Sequence, residues 1–478
     1  MERVAVIQIG AIALTLGIVT GILIHSIAVA LAFLTISTIS ILFLKKSGFV
    51  PLFLLFVSVG ILVGSIRITF VTQNHLPEGT FSEFRGVVSE YPDVQGDKVH
   101  YTVSASCFDL VCGIKQYRVL VQGERFPLYS YGDELVIRGK PHLVEGELGG
   151  YDSYLESQGF VASISFAKIE KVGSDKGNSL VSTLFRLRSF CSGLISDTLP
   201  QPESGLLQGM ILGEKHALGT TVETEFKKAG LSHIVVLSGY NLMLVFALFF
   251  GIAQFITLRW APLLAFTATA LFVVLSGAEP ASLRALGMTL LITLALLLRR
   301  NKSASHALAL TVICFSLINP RTASSVSFLL SALATYGIVE WEPIISTFLG
   351  ERVGWLGRFT GVVSETLSAQ IIVSPLIVYI SGSLPLFSLF SNILVIPFVP
   401  GAMLFGVFAS TFILCGLPTF LVSLPALLLL KYILFITHTF SLLPSVTISA
   451  PATIVWFLSV LLVVYPLYKT FGTKNSFM

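Results

Sequence analysis

The sequence predicts a polytopic α-helical membrane protein, with about 11–12 transmembrane helices, one of them broken or re-entrant, and a small all-β insert. Hydrophobic residues make up 54% of the chain and charged residues only 12%, and the mean hydropathy is +0.86. This composition is far more apolar than that of an ordinary soluble protein. Several windows also approach the roughly 20 apolar residues that a helix needs to cross the hydrocarbon core.

The region 1–70 predicts three transmembrane helices, at about residues 4–25, 27–44 and 49–70. The first apolar run is long and lacks a small-residue cleavage pattern, so we expect a retained helix and no cleaved signal peptide. Lys45 and Lys46 form the basic cluster between the second and third spans. Because positive loops stay on the cytoplasmic side, the N-terminus is expected in the cytoplasm and the insert on the external face of the membrane.

The insert, residues 71–172, predicts a small β-barrel. Short segments rich in Val, Ile, Phe and Tyr are separated by Gly, Asp and Pro at Glu83–Tyr91, Lys98–Cys107, Lys115–Gln122, Glu134–Arg138 and Phe160–Glu170. Five such strands suit an OB-like barrel, although another small barrel or sandwich would give the same pattern. Nine basic and fourteen acidic residues give the insert a net charge of −5.

Two of the five cysteines, Cys107 and Cys112, lie in the insert and are separated by four residues. On an oxidising face of the membrane this spacing is compatible with a hairpin disulfide. Two free thiols are equally compatible with the sequence.

The remainder divides into residues 173–230, predicted as amphipathic helices along the outer membrane surface, and residues 231–478, predicted as a transmembrane domain. The expected spans are 231–256, 261–276, 283–298, 305–318, 324–340, 360–380, 385–416, 419–440 and 450–468. Residues 385–416 are predicted as a broken pair in which Pro385 to Val399 dips in and returns, because the basic loops then fall on the cytoplasmic side.

A few polar residues interrupt these apolar spans. The segment Ala229-Gly-Leu-Ser-His-Ile-Val-Val-Leu-Ser-Gly-Tyr-Asn241 places His233, Ser238, Gly239 and Asn241 in one of them, and Arg284 and Lys431 place charges in two others. A polar group in a span indicates close helix packing, or a face that meets water or another helix. Helix packing and snorkelling at the membrane surface explain these residues as readily as a functional path does.

The same segment closely resembles the signature of the ComEC competence family, in which a Gly-x-x-His stretch runs into Ser-Gly-x-His. Further elements occur in the family order, and together they cover most of residues 80–410: Gly149-Gly-Tyr-Asp-Ser-Tyr-Leu-Glu-Ser-Gln-Gly159, Leu206 to Lys215, Glu225 to Gly230, Ser276 to Ala285, Asn319-Pro320 with Ser327 to Thr335, and Ser368 to Gln370 with Pro375 and Asn392 to Pro400. Two positions depart from the pattern, since Asn241 replaces a usual His and Leu329 replaces a usual Gln. The metallo-β-lactamase-like nuclease domain of many members is also expected to be missing.

This resemblance implies a channel in the bacterial plasma membrane that takes up single-stranded DNA during natural transformation. The chain is therefore expected to be a transport protein and not an enzyme, with no catalytic residues, metal or cofactor. The residues expected along the DNA path are His233, Ser238, Gly239, Asn241, Arg284, Ser331, Gln370, Asn392 and Lys431. Those expected to capture DNA on the insert are Lys98, Tyr101, Lys115, Tyr117 and Arg118. The implied partners are single-stranded DNA, the lipid bilayer, a DNA receptor, a separate nuclease, a cytoplasmic motor or single-strand-binding proteins, and in one arrangement a second copy of the chain.

Two other classes of protein remain compatible with the residues. A secondary transporter of a small solute would place its binding site at the broken span near Pro385 to Pro400. An intramembrane hydrolase would use Ser238 with His233 or His306, but five residues on a regular helix separate His233 from Ser238 by about 140°, which disfavours this class.

Overall fold

The computed structural model describes residues 17–18, 57–64, 66, 83–96, 98–108, 111–144, 152, 155, 158–235, 239–257, 259–278, 280–298, 304–318, 325–352, 360–415 and 419–447. The chain forms two compact units. The first, here unit A, comprises Met1–His75, Gly287–Leu384 and Thr447–Met478, and the second, unit B, comprises Leu76–Leu286 and Pro385–Val446. This division separates the helices of the region predicted as one transmembrane domain at 231–478. The predicted spans at 27–44 and 450–468 lie outside the described residues.

Unit B begins with a β region of eight strands, which include all five predicted ones. The strands are β1 Glu83–Val88, β2 Asp93–Gln95, β3 Lys98–Phe108, β4 Val111–Glu124, β5 Glu134–Arg138, β6 His142–Leu143, β7 Phe160–Ile164 and β8 Lys168–Gly173. The last predicted strand is thus divided into β7 and β8 by residues 165–167. Alternating side chains of these strands enclose an apolar core around Tyr101, Val103, Val121 and Leu135.

The sheet runs in the order β6-β7-β4-β3-β1-β5-β8, and β2 pairs with β3. β7 is parallel to β4, and β8 is antiparallel to β5. In this order β7 lies near one end of the sheet and β8 at the other. Because the two strands follow one another in the chain, residues 165–167 link the two ends of the sheet.

Three helices follow: α1 Ser179–Thr198, α2 Glu203–Leu212 and α3 Thr220–Ala229, with a 3₁₀ turn at Lys215–Leu218. Asn178 caps α1 through its side-chain oxygen, which accepts from the amides of Leu180 and Val181. All ten residues of α2 are buried. The prediction that residues 173–230 form amphipathic surface helices is therefore wrong for α2, because its Leu-Leu-Gln-Gly-Met-Ile-Leu sequence is packed on every side.

The other helices of unit B form an apolar bundle. They are α4 Ser232–Val235, α5 Gly239–Ile256, α6 Ala261–Leu275, the start of α7 Pro280–Leu297, α11 Ser388–Val395, α12 Val399–Phe412 and α13 Thr419–Ser441. Their core surrounds α2, with Leu206, Leu207 and Met210 fully buried against residues of α12 and α13.

The segment from α11 to α12 corrects the prediction of a re-entrant pair. Residues Ser388–Phe412 form one helical stretch of 25 residues, with a 3₁₀ turn at Ile396–Phe398. Pro397 removes one amide donor, but the flanking residues keep helical backbone angles, so the chain does not reverse. The prediction that Pro385 to Val399 dips in and returns is wrong.

Unit A contains the end of α7, α8 Ala304–Ile318, α9 Val326–Arg352 and α10 Thr360–Ser381. Gly337 lets α9 and α10 approach closely, since an added Cβ there would lie 2.5 Å from the Ser368 carbonyl oxygen. Two short strands complete the described elements, β9 Ser383–Leu384 and β10 Val446–Thr447.

Among the described residues, five helical segments are long and apolar enough to cross a membrane. They are Gly239–Ile256, Val326–Leu349, Thr360–Ser381, Ser388–Phe412 and Leu421–Ser441. Three shorter apolar helices, Ala261–Leu275, Ala281–Leu297 and Ala304–Ile318, accompany them.

Candidate functional site

Arg284 lies beside the first turn of α5, within the apolar part of unit B. Its Nη2 would lie 3.7 Å from a Cβ added to Gly239, and the Ala285 Cβ would lie 3.5 Å from the same point. Arg284 is only 3% exposed, and Ala285 belongs to an apolar cluster with Leu242 and Val273. The structure therefore brings together Arg284 and Gly239, two of the residues predicted along the DNA path. Because Arg284 is buried, it also takes part in the packing of unit B.

Asn241 connects the same turn to the buried helix α2. Its side chain is 1% exposed, and its Nδ2 donates to the Met210 carbonyl at 3.2 Å. An amide that bonds a helix carbonyl fixes the position of α5 on α2. Ser238, predicted in the same motif, lies outside the described residues, and His233 is exposed on α4.

Asn392 in α11 is a second buried amide. Its residue is 4% exposed, and its Oδ1 has no hydrogen-bond partner among the described residues. Because Asn392 is a buried amide in an apolar helix, it remains a candidate for the polar path.

The surroundings of Gly230 explain why the Gly-x-x-His stretch has glycine at this position. It ends α3 in the left-handed region, at φ 73°, and an added Cβ would lie 2.4 Å from the Ser388 Cβ. Beside it, the Ser391 Oγ donates to the Ala229 carbonyl at 2.8 Å. The motif thus packs the end of α3 directly against α11.

We expect Gly230→Ala to destabilise the protein strongly, because it combines backbone strain of about 1–2 kcal/mol with overpacking that costs about 1–3 kcal/mol. Gly382→Ala is the matched control, since Gly382 directly follows the helix α10 as Gly230 follows α3, has φ 63° and has nothing within 4 Å of an added Cβ, so only the strain applies. The melting temperature of the purified protein measures both. Equal losses in the two variants would show that the contact with Ser388 is unimportant.

A polar network missed by the sequence analysis centres on Arg188 in α1. Its Nε donates to the Glu214 Oε1 at 3.2 Å, and its Cζ lies 4.1 Å from the centroid of the Tyr91 ring. The Arg188 and Glu214 side chains are only 7% and 17% exposed. Ser192 donates to the other oxygen of Glu214 at 2.9 Å. The only available signal was Glu214 itself, a charge that follows an apolar run.

This network joins three parts of unit B. Tyr91 comes from the β region, and its hydroxyl lies 3.1 Å from the Ser189 Oγ of α1. Gly277, in the turn between α6 and α7, leaves room for Arg188, whose Nη1 would lie 3.1 Å from an added Cβ. Since α7 carries Arg284, the Arg188 network helps to position the turn that precedes it.

A second contact between the β region and the helices involves His216. Its Nε2 lies 3.5 Å from Asp93 in β2, and its Nδ1 lies 3.4 Å from Glu223 in α3. Partial burial favours the neutral form of Glu223, but its hydrogen bond with Lys227 and the charge of Lys227 lower the pKa of this carboxyl below its ordinary value. Glu223 therefore stays ionised beside His216.

The DNA-capture residues predicted on the insert have very different environments. Tyr101 is fully buried in the β core, and its hydroxyl accepts from the Tyr129 amide, so the prediction that Tyr101 captures DNA on the insert is wrong. Arg118 pairs with Glu90 and its Cζ lies 5.0 Å from the Phe160 ring centroid. Tyr117 is half-buried and Lys98 is exposed, whereas the side chain of Lys115 lies outside the described residues.

The backbone of β3 and β4 places Cys107 directly opposite Cys112. Their side chains lie outside the described residues, so the disulfide stays a prediction. No group of three or more His, Cys, Asp or Glu residues in the described parts of the chain is placed to hold a metal ion.

Three further residues predicted along the DNA path lie on the helices α9, α10 and α13. Ser331 and Gln370 are half-buried in α9 and α10 of unit A, and their roles stay predictions. Lys431 is exposed on α13, between the exposed apolar side chains Leu428 and Phe435. Among the described residues Lys431 has no ion pair, and its role in the path stays a prediction.

Comparison with known proteins identifies the family. The competence protein family matches residues 210–470, which is more than half of the chain. The chain belongs to the competence protein family. ComE operon protein 3 of Bacillus subtilis (strain 168) is 25% identical over 346 residues, covering 70% of this chain and 43% of the relative. The chain thus spans less than half the length of that relative. No solved structure matches.

The family match includes three buried polar residues of unit B. Asn241, Arg284 and Asn392 all lie within residues 210–470, whereas the β region precedes them. Together with its apolar helices, the match identifies this competence protein as a multi-pass membrane protein of ComEC type.

Proposed function

We propose that this competence protein is a membrane channel for the uptake of single-stranded DNA. The supporting observation is that Arg284 of α7 is buried beside the first turn of α5, inside an apolar helical unit. A nucleic acid strand carries a negative charge at each phosphate and cannot cross hydrocarbon without polar donors. The guanidinium and the positive end of the α5 dipole lie close together, and an anion between them would be stabilised by both.

Two buried amides of unit B are proposed to supply neutral contacts for the same strand. Asn241 lies two residues into α5 beside Gly239, and Asn392 lies in α11. An amide acceptor suits the amino groups of bases and an amide donor suits phosphate oxygens. His233 and Ser238, from the same motif as Asn241, are proposed to continue this path in unit B. The roles predicted for Ser331 and Gln370 in unit A and for the exposed Lys431 stay predictions.

The β region is proposed to be an OB-like barrel on the external face of the bacterial plasma membrane, with the N-terminus in the cytoplasm. The pairing of β1 with β3 and β5, the parallel pair β4–β7 and the return through β8 support this topology. Strand capture by the barrel is no part of this proposal, because Tyr101 is buried and Arg118 is paired with Glu90.

The protein is proposed to transport and not to catalyse. A separate DNA receptor, nuclease and cytoplasmic motor or single-strand-binding protein are then needed to deliver, process and pull the strand. A secondary transporter of a small solute is the weaker alternative. Its binding site was expected at a broken span, whereas Ser388–Phe412 is one continuous helical stretch.

The proposal is tested in a strain that lacks this protein. Labelled duplex DNA should still bind the cell surface, while the internalised, nuclease-protected strand should fall to background and return when the gene is restored. A panel of radiolabelled small solutes, measured in the same strains, is the control. Unchanged DNA entry, or a solute defect without a DNA defect, would contradict the channel function.

A further inference from the structure

Three large apolar side chains project from the β region into solvent. Phe126 is 76% exposed, Leu128 is 55% exposed and Phe166 is 83% exposed. Phe126 and Leu128 follow β4, and Phe166 lies between β7 and β8. We call them the apolar patch. Large exposed apolar groups on a folded domain mark an interaction surface when they occur together.

The backbone brings these side chains to the same end of β4. The Ala167 amide, next to Phe166, donates to the Gln122 carbonyl at 3.3 Å, and β4 ends at Glu124, two residues before Phe126. Lys98, the ladder partner of Glu124, begins β3 at this same end. The patch is therefore a local cluster and not three isolated residues.

Each aromatic ring of the apolar patch has a cation beside it. The Lys98 Nζ lies 4.9 Å from the Phe166 ring centroid, and the Arg125 Cζ lies 5.8 Å from the Phe126 ring centroid. Phe166 also has φ 58°, a left-handed backbone conformation that is unfavourable for a bulky residue. Neither the exposure of the Phe166 ring nor its strained backbone stabilises the fold, so this combination points to a binding role.

We propose that the apolar patch inserts into the interfacial region of the lipid bilayer, with Lys98 and Arg125 at the level of the anionic headgroups. Bulky apolar side chains flanked by basic ones are the signature of interfacial membrane binding. Because the β region is joined through α1 to helices long enough to cross a membrane, binding is intramolecular and a small patch suffices. This inference is independent of the proposed transport function.

The same residues suit a nucleic acid strand less well. Leu128 and the neighbouring Pro127 have no flat ring that could stack on a base. A bilayer, in contrast, accepts aliphatic and aromatic side chains alike.

The inference is tested by fluorescence of the full-length protein in nanodiscs. Phe126→Trp and Phe166→Trp each add a reporter, and the signal is the additional quenching by brominated lipids relative to the parent protein, which has four tryptophans. Gln116→Trp is the matched control, because Gln116 is exposed on the same strand roughly 26 Å before Glu124. We expect strong quenching at 126 and 166 and little at 116. In nanodiscs with anionic lipids, adding Lys98→Glu and Arg125→Glu to each reporter variant should reduce its quenching by brominated lipids.

Two results would overturn the proposal. Equal quenching at all three positions would show that the patch is not a specific lipid contact. Quenching of the reporters by a thymidine oligonucleotide, with none by brominated lipids, would assign the patch to a strand instead. A DNA-uptake defect in these variants is not required, so the lipid contact and the transport function can fail separately.

Discussion

Arg188→Met is expected to destabilise the protein by about 3–5 kcal/mol, because it leaves the Glu214 carboxylate buried without its cation. Glu214→Gln should also destabilise it, since Arg188 then loses its carboxylate. The double variant Arg188→Met/Glu214→Leu should lose less than the sum of the single variants, because no unpaired charge remains buried. Melting temperatures of the purified variants complete the double-mutant cycle.

Arg138→Met is the control for this cycle. Arg138 makes ion pairs with Glu83 and Glu170, but it is exposed on the β region. Its removal should leave the melting temperature unchanged, because water and salt screen exposed pairs. Strict additivity in the Arg188 and Glu214 cycle would refute the coupling between these two side chains.

Removal of the Arg284 charge should abolish most DNA entry. Arg284→Met is expected to lower the internalised strand about tenfold or more, since hydrogen bonds to charged groups contribute about 1.5–3 kcal/mol. Arg284→Lys should keep part of the activity, because it keeps the charge but loses the bidentate geometry. Internalised DNA is measured beside surface-bound DNA, which should not change.

Burial of Arg284 requires two further measurements. Membrane abundance and melting temperature must be compared, because a buried residue also affects packing. Arg259→Ala removes an exposed arginine in the turn between α5 and α6 and should leave DNA entry intact. Normal entry in Arg284→Met at equal abundance would remove Arg284 from the path and favour the solute transporter.

The sequence determined the class of the protein and most of its elements, because these depend on local composition and spacing. Apolar windows near the length of a membrane span identified α5 and α10, and alternation identified β3 and β4. The ordered motifs indicated the family that the comparison then identified. Gly230 and Gly239 were singled out because both belong to the segment that resembles the family signature.

The tertiary structure alone decided which polar residues are buried and which of them meet. Tyr101 was predicted to capture DNA on the insert, yet it lies with Val103 and Ala105 on the face of β3 that packs into the core. The helix α2 is enclosed on every side and Ser388–Phe412 continues past Pro397, since packing overrides local preference. The Arg188–Glu214 pair joins residues 26 positions apart on different elements, and no spacing rule in a single sequence reports such a contact.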